Sequence, residues 1–103
     1  MKQSKDVVLA AVERDGLALN YAQSSMKDTQ DVVLPAVTHG LALQYASDSK
    51  KSNKNVVLAA VKQDGLALQY ASASMKDNQN VVLAAVKQTS KMVKFKVHMQ
   101  LPL

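Results

Sequence analysis

The sequence predicts an all-α fold: short stacked helical hairpins in an α-solenoid-like repeat array, closed by a C-terminal tail that is irregular or strand-like. Two observations predict it. A pattern of about 16 residues recurs, as VVLAAVERDGLALNYA at 7–22, VVLPAVTHGLALQYA at 32–46, VVLAAVKQDGLALQYA at 56–71 and the opening VVLAAVKQ at 81–88. Its first valines stand at 7, 32, 56 and 81, and the first and third copies agree at 13 of 16 positions, so the chain reads as three units and the start of a fourth. The second observation is that all three glycines, Gly16, Gly40 and Gly65, fall at the same place in their units.

Each unit divides at its glycine into a helix A and a helix B. The run Val-Val-Leu-Ala-Ala-Val is apolar all round, and periodicity alone does not assign it. Its paired alanines and the flanking Lys, Gln and Glu favour helix despite the valines. Asp28, Ser52 and Asp77 stand three residues before Asp31, Asn55 and Asn80, the arrangement of a capping box with a shortened partner, while Gln3 is a poor cap in the first unit. The glycines predict a left-handed residue closing helix A. Helix B is expected to place Leu17, Tyr21 and Ser25 on one face and Leu19, Ala22 and Met26 on the next.

A helix of about ten residues is marginal alone, so its apolar surface must be covered by its partner helix and by the next unit. The domain is expected over 1–88, with units at about 3–27, 28–51, 52–76 and a partial 77–88, and a basic tail over 89–103. The end units expose apolar surface on this reading, which suits a segment of a longer array or a self-associating chain. In the second unit Pro35 replaces an alanine and Thr38-His39-Gly40 is one residue short of Glu13-Arg14-Asp15-Gly16, which predicts a bend or frayed turn near 35–40.

The unit VVLAAVKQDGLALQYAS, with its Lys-Asp-Asn connector, resembles a short helical repeat classed as a domain of unknown function, number 4116. The resemblance covers about residues 3–88 and is carried in the first unit by Val7, Leu9, Ala11, Val12, Gly16, Leu17, Leu19, Tyr21 and Ala22. It implies a tandem helical array and carries no catalytic or ligand-binding residue with it.

From Thr89 the pattern stops. Residues 78–103 hold Lys87, Lys91, Lys94 and Lys96 without an acid, while 1–77 hold nine bases and eight acids. Val93, Phe95, Val97, Met99 and Leu101 alternate with polar residues, a period-two pattern suited to a strand. A second reading lies in the genetic code. Read from the third base of each preceding codon, Lys91-Met92-Val93 spells Asn-Gly or Asp-Gly, and His98-Met99-Gln100 spells Tyr-Ala or His-Ala. Those echo the repeat and point to a frameshifted or truncated remnant without current function.

Composition excludes several classes. There is no cysteine, hence no disulfide framework, and with only two histidines no zinc-finger spacing. The longest apolar run is six residues, Val7 to Val12, far short of the roughly 20 that span a bilayer. The polar start lacks a secretory signal, so the chain reads as soluble and cytoplasmic, with export by a signal-independent route left open. One glycine per unit cannot form a phosphate cradle, the acids sit at helix ends where capping explains them, and no serine has a nucleophile-elbow setting. No enzyme activity, metal or cofactor is expected.

Tyr21, Tyr45 and Tyr70 would form a row along the stack, read as semi-core residues in preference to a base-stacking platform. Glu13 with Arg14, Thr38 with His39, Lys62 with Gln63 and Lys87 with Gln88 occupy equivalent ends of successive A helices and make a candidate partner-binding ridge. Asn20, Gln44 and Gln69 form a second polar row. The expected function is a noncatalytic protein-interaction or structural module, through this ridge and the end faces, with a protein partner or self-association. The alternative is that Lys91, Lys94, Phe95 and Lys96 bind nucleic acid or an anionic membrane surface.

Overall fold

The computed structural model describes the backbone of residues 4–100 and the side chains as far as Thr89. The described chain is all helical, in three three-part units and a final helix. The first unit is α1 (Lys5–Arg14), the 3-10 helix η1 (Gly16–Tyr21) and α2 (Ser24–Lys27). The second is α3 (Gln30–Ala36), η2 (Gly40–Tyr45) and α4 (Asp48–Lys51). The third is α5 (Lys54–Gln63), η3 (Gly65–Tyr70) and α6 (Ala73–Lys76), after which α7 (Gln79–Gln100) begins a fourth. The Cα radius of gyration is 15.2 Å, with extents of 60 × 28 × 15 Å. A spherical domain of this length would have about 13 Å, so the units line up in a row.

Helix B is therefore a 3-10 helix followed by one α turn, and not the single α-helix the sequence predicts. The 3-10 geometry repeats every three residues, so side chains at i and i+3 share a face. One face, Ala18 with Tyr21 and their equivalents, meets the preceding unit. A second, Gly16 with Leu19, meets the following unit. The third, Leu17 with Asn20, meets solvent. Burial follows the neighbours present: Ala42 and Ala67 are fully buried and Ala18 is not, whereas Leu19 and Leu43 are fully buried and Leu68 is not. On the solvent face the Gln44 and Gln69 side chains donate to the Leu41 and Leu66 carbonyls, 3.0 and 3.1 Å away.

Helix A divides in the same manner. Val32, Val56 and Val81 lie against the preceding unit and are buried, while Val7, in the first unit described, is 68% exposed. Val12, Val37 and Val61 lie against the following unit and are buried, while Val86 is 53% exposed. The short α turns are joined as well: the Ser47 amide donates to the Lys27 carbonyl and the Ser72 amide to the Lys51 carbonyl, both at 3.0 Å.

The glycines do not adopt the left-handed conformation the sequence suggested, since none has positive φ. They allow close approach instead. A Cβ on Gly40 would lie 2.6 Å from the Ala60 carbonyl oxygen and one on Gly65 2.7 Å from that of Ala85; Gly16 sits closer still to the Ala36 carbonyl. Helix A is closed by an extended residue, Asp15 or Asp64, whose carboxylate accepts the Leu17 or Leu66 amide at 2.9 Å. The N-caps also fall one residue later than expected, because Asp28, Ser52 and Asp77 close the preceding α turn. Asn53 caps α5 by accepting the Val56 amide at 3.1 Å, and the Asn78 side chain accepts the Asn80 and Val81 amides. Thr29 and Ser4 stand in the same place without a side-chain cap bond.

Pro35 acts as expected. Helix α3 ends one residue after it and spans seven residues against ten in α1 and α5. Residues 37–39 form a turn and bend, and His39 occupies the place of Asp15 and Asp64 before the glycine. The strand-like reading of the tail is corrected: α7 continues as a helix to Gln100. A packed helix adds a hydrogen bond for each residue it extends, whereas a lone strand has no ladder partner. Leu101 to Leu103 lie outside the described residues.

The sign of a Gly40→Ala substitution tests the role of the glycines. Relief of backbone freedom alone would stabilise by about 0.4–1 kcal/mol. The contact with Ala60 requires a loss of about 1–3 kcal/mol in equilibrium urea denaturation, from parting two packed units.

Candidate functional site

The candidate surface lies between adjacent A helices. Leu9, Leu34, Leu58 and Leu83 occupy equivalent positions; the first three are half-buried and Leu83 is 51% exposed. They line the furrow where one helix meets the next. Between α5 and α7, Leu58, Leu83 and Ala84 floor an open groove of about 590 Å³. Lys54 and Asn80 border one end, and Lys62, Lys87 and Gln88 the other.

The backbone repeats, but the charge around it does not. Between α1 and α3 the equivalent positions hold Lys5, Glu13, Asp31 and Thr38. Lys5 donates to Asp31 across that furrow at 3.1 Å, the only ion pair among the described residues. In the last furrow Asn80 replaces the acid, Lys62 replaces Glu13 and Lys87 replaces Thr38. Lys54, Lys62 and Lys87 are exposed and have no acidic partner among the described residues. An apolar floor with cations at both ends thus occurs in this furrow and is neutralised in the first.

The structure separates the sequence-predicted ridge into two sets. Glu13, Arg14, Thr38, Lys62, Gln63 and Lys87 are exposed, although Thr38 donates its hydroxyl to the Pro35 carbonyl at 2.7 Å. His39 and Gln88 join units. The Gly16 amide donates to His39 Nδ1 at 3.0 Å, and the Gly65 amide to Gln88 Oε1 at 2.6 Å. Each bond reaches from a glycine of one unit to the next unit, to the bend after α3 in one case and to the body of α7 in the other. Sequence reasoning missed the groove residues Lys54, Leu58, Asn80 and Leu83; Lys54, Leu58 and Lys62 stand at i, i+4 and i+8, one stripe of a helix, which could have found them.

Tyr45 and Tyr70 are half-buried against the core, in line with the semi-core reading, and Tyr21 in the first unit is 79% exposed. Four of the eight acids have structural side-chain partners: beyond Asp15, Asp64 and Asp31, Asp28 accepts the Ser47 hydroxyl at 2.6 Å. Among the described residues no three His, Asp or Glu side chains come close enough to hold a metal ion, and no helix is long and apolar enough to cross a membrane. The candidate anion-binding residues Lys91, Lys94, Phe95 and Lys96 lie on the backbone of α7, and their side chains, like that of His98, fall outside the described residues.

The chain is similar to known proteins through one family model, described as "Domain of unknown function (DUF4116)", which matches residues 4–49 and again 53–95. No curated protein and no solved structure matches it.

Removing the histidine acceptor leaves a part-buried glycine amide unpaired. His39→Ala is therefore expected to destabilise the chain by about 1–2 kcal/mol in urea denaturation, while exposed Arg14→Ala changes stability by about 0.5 kcal/mol or less.

Proposed function

We propose, from the premise that the chain belongs to the DUF4116 family of tandem repeats, that it is a noncatalytic helical-repeat module, solenoid-like in architecture, which engages protein through its end faces and its exposed helix-A ridge. The observation that carries this reading is the matched pair of end faces. Val7 at the first unit and Val86 at the last occupy positions that other units bury, and Tyr21 is exposed where Tyr45 and Tyr70 are half-buried. Beside η3, where the row of 3-10 helices ends, lies a hollow of about 460 Å³ lined by Gly65, Leu66, Leu68 and Gln69. Gly65 and Leu68 belong to the face that elsewhere receives the next unit. A surface already shaped to receive a repeat suits further copies of the repeat or a partner that imitates one. The capping and cross-unit duties of the acids and of His39 support the noncatalytic part of the reading.

Sedimentation velocity of the full chain tests it. Association is expected to rise with concentration and to weaken by about tenfold in Val7→Glu, equivalent to about 1.4 kcal/mol. That site is 68% exposed, so the folded unit should survive the change. A chain that stays monomeric into the high-micromolar range and captures no protein from a lysate overturns the reading.

A further inference from the structure

We propose that the groove between α5 and α7 is a docking site for an acidic amphipathic helix of a partner protein, one carrying acid, leucine-like and acid side chains at i, i+4 and i+8. This deepens the interaction-module reading and rests on it. The argument is charge complementarity on a fixed apolar frame. Leu58, Leu83 and Ala84 supply a floor open to solvent, and Lys54 at one end and Lys62 with Lys87 at the other supply cations with no acid to neutralise them among the described residues.

The spacing selects the occupant. Lys54 and Lys62 are eight residues apart on one helix, a rise of about 12 Å, which is the separation of i and i+8 on a helical ligand lying alongside. Two anions at that distance with an apolar side chain between them would engage both ends and the floor together. A fatty acid presents one carboxylate and needs an enclosed tunnel, whereas this groove is open and basic at both ends. A single-stranded nucleic acid needs aromatic faces on which bases stack, and leucines and an alanine provide none.

The first furrow is an internal control. It has the same leucine positions, but Asp31 holds Lys5 and Glu13 stands where Lys62 stands in the third unit. The substitutions that separate the two furrows therefore convert a self-paired surface into one with unpaired positive charge among the described residues, on leucines that keep their places, while Pro35 stands in the first furrow where Ala84 floors the last.

The test uses the full chain and fluorescence anisotropy. Its probe is a labelled synthetic peptide of about 16 residues, helix-forming, with Glu, Leu and Glu at i, i+4 and i+8. Comparison peptides are a scrambled sequence of the same composition and one with Lys in place of each Glu. Saturable binding is expected for the first alone, and is expected to weaken by about fivefold or more in Lys62→Glu with Lys87→Glu. It should also weaken between about 50 and about 300 mM salt. The Lys-bearing peptide is expected to bind the doubly substituted chain, which a misfolded variant would not do. A control of equal net charge, Lys27→Glu with Lys50→Glu, should bind the acidic peptide as the parent does. Equal binding of the scrambled peptide, equal loss in the control, or tighter binding of single-stranded DNA than of the peptide overturns the proposal. Loss of peptide binding in a chain that still self-associates would sink this inference and leave the interaction-module reading standing.

Discussion

The fold depends on one contact made three times: a glycine at the start of each 3-10 helix pressed against the carbonyl of an alanine in the next unit's A helix. Gly16 meets Ala36, Gly40 meets Ala60 and Gly65 meets Ala85. Neither partner can grow without parting the units. A larger residue at the glycine drives into backbone, which cannot rotate aside as a side chain can, and the surrounding valines would then lose contact together. The small residues therefore set the distance between units, and the valines and leucines supply the attraction that the distance permits. His39 and Gln88 complete the joint by accepting glycine amides that close packing would otherwise strip of water.

The 3-10 segments follow from the same demand. A unit in a row has three environments, the neighbour before, the neighbour after and solvent, and three residues per turn assign one face to each. Six residues then suffice to make contact on both sides. An α-helix of that length would smear the same side chains around its axis. Poorer hydrogen-bond geometry is offset by burial against the neighbouring unit. Tyr21 illustrates the dependence: its sequence context matches that of Tyr45 and Tyr70, yet it is 79% exposed where they are half-buried, since the described residues form no unit on its outer side.

Much of this was legible in the residues. The period, the helical character of Val-Val-Leu-Ala-Ala-Val and the shortening of the second unit at Pro35 all follow from local chemistry that a sequence displays. Three features were not. A glycine that ends a helix and a glycine that admits a neighbouring backbone look alike in one dimension, because the difference lies about 20 residues away in the next unit. The 3-10 helices were read as α because Leu, Ala and Gln favour both, and only the demand for three faces separates them. In the tail, alternation suggested a strand, but the folded α7 ahead of it gives the backbone a helix to extend and no sheet to join. The candidate surface was half legible: Lys62 and Lys87 were visible as ridge residues, but the leucine floor between them appears only when α5 and α7 lie side by side.

A repeat built this way separates stability from recognition by position. Residues that touch the next unit, the Val12, Gly16, Ala36 and Leu19 classes, are nearly invariant among the copies, since a change at any of them alters a joint. At exposed positions along helix A and the edge of the furrow the copies differ: Glu13 and Lys62, Thr38 and Lys87, Asp31 and Asn80. Charge can change sign along the row while the backbone beneath repeats. Each furrow can then present its own chemistry on a common frame, at little cost to the fold, because exposed charges contribute little to stability and neighbouring units hold the helices in place regardless.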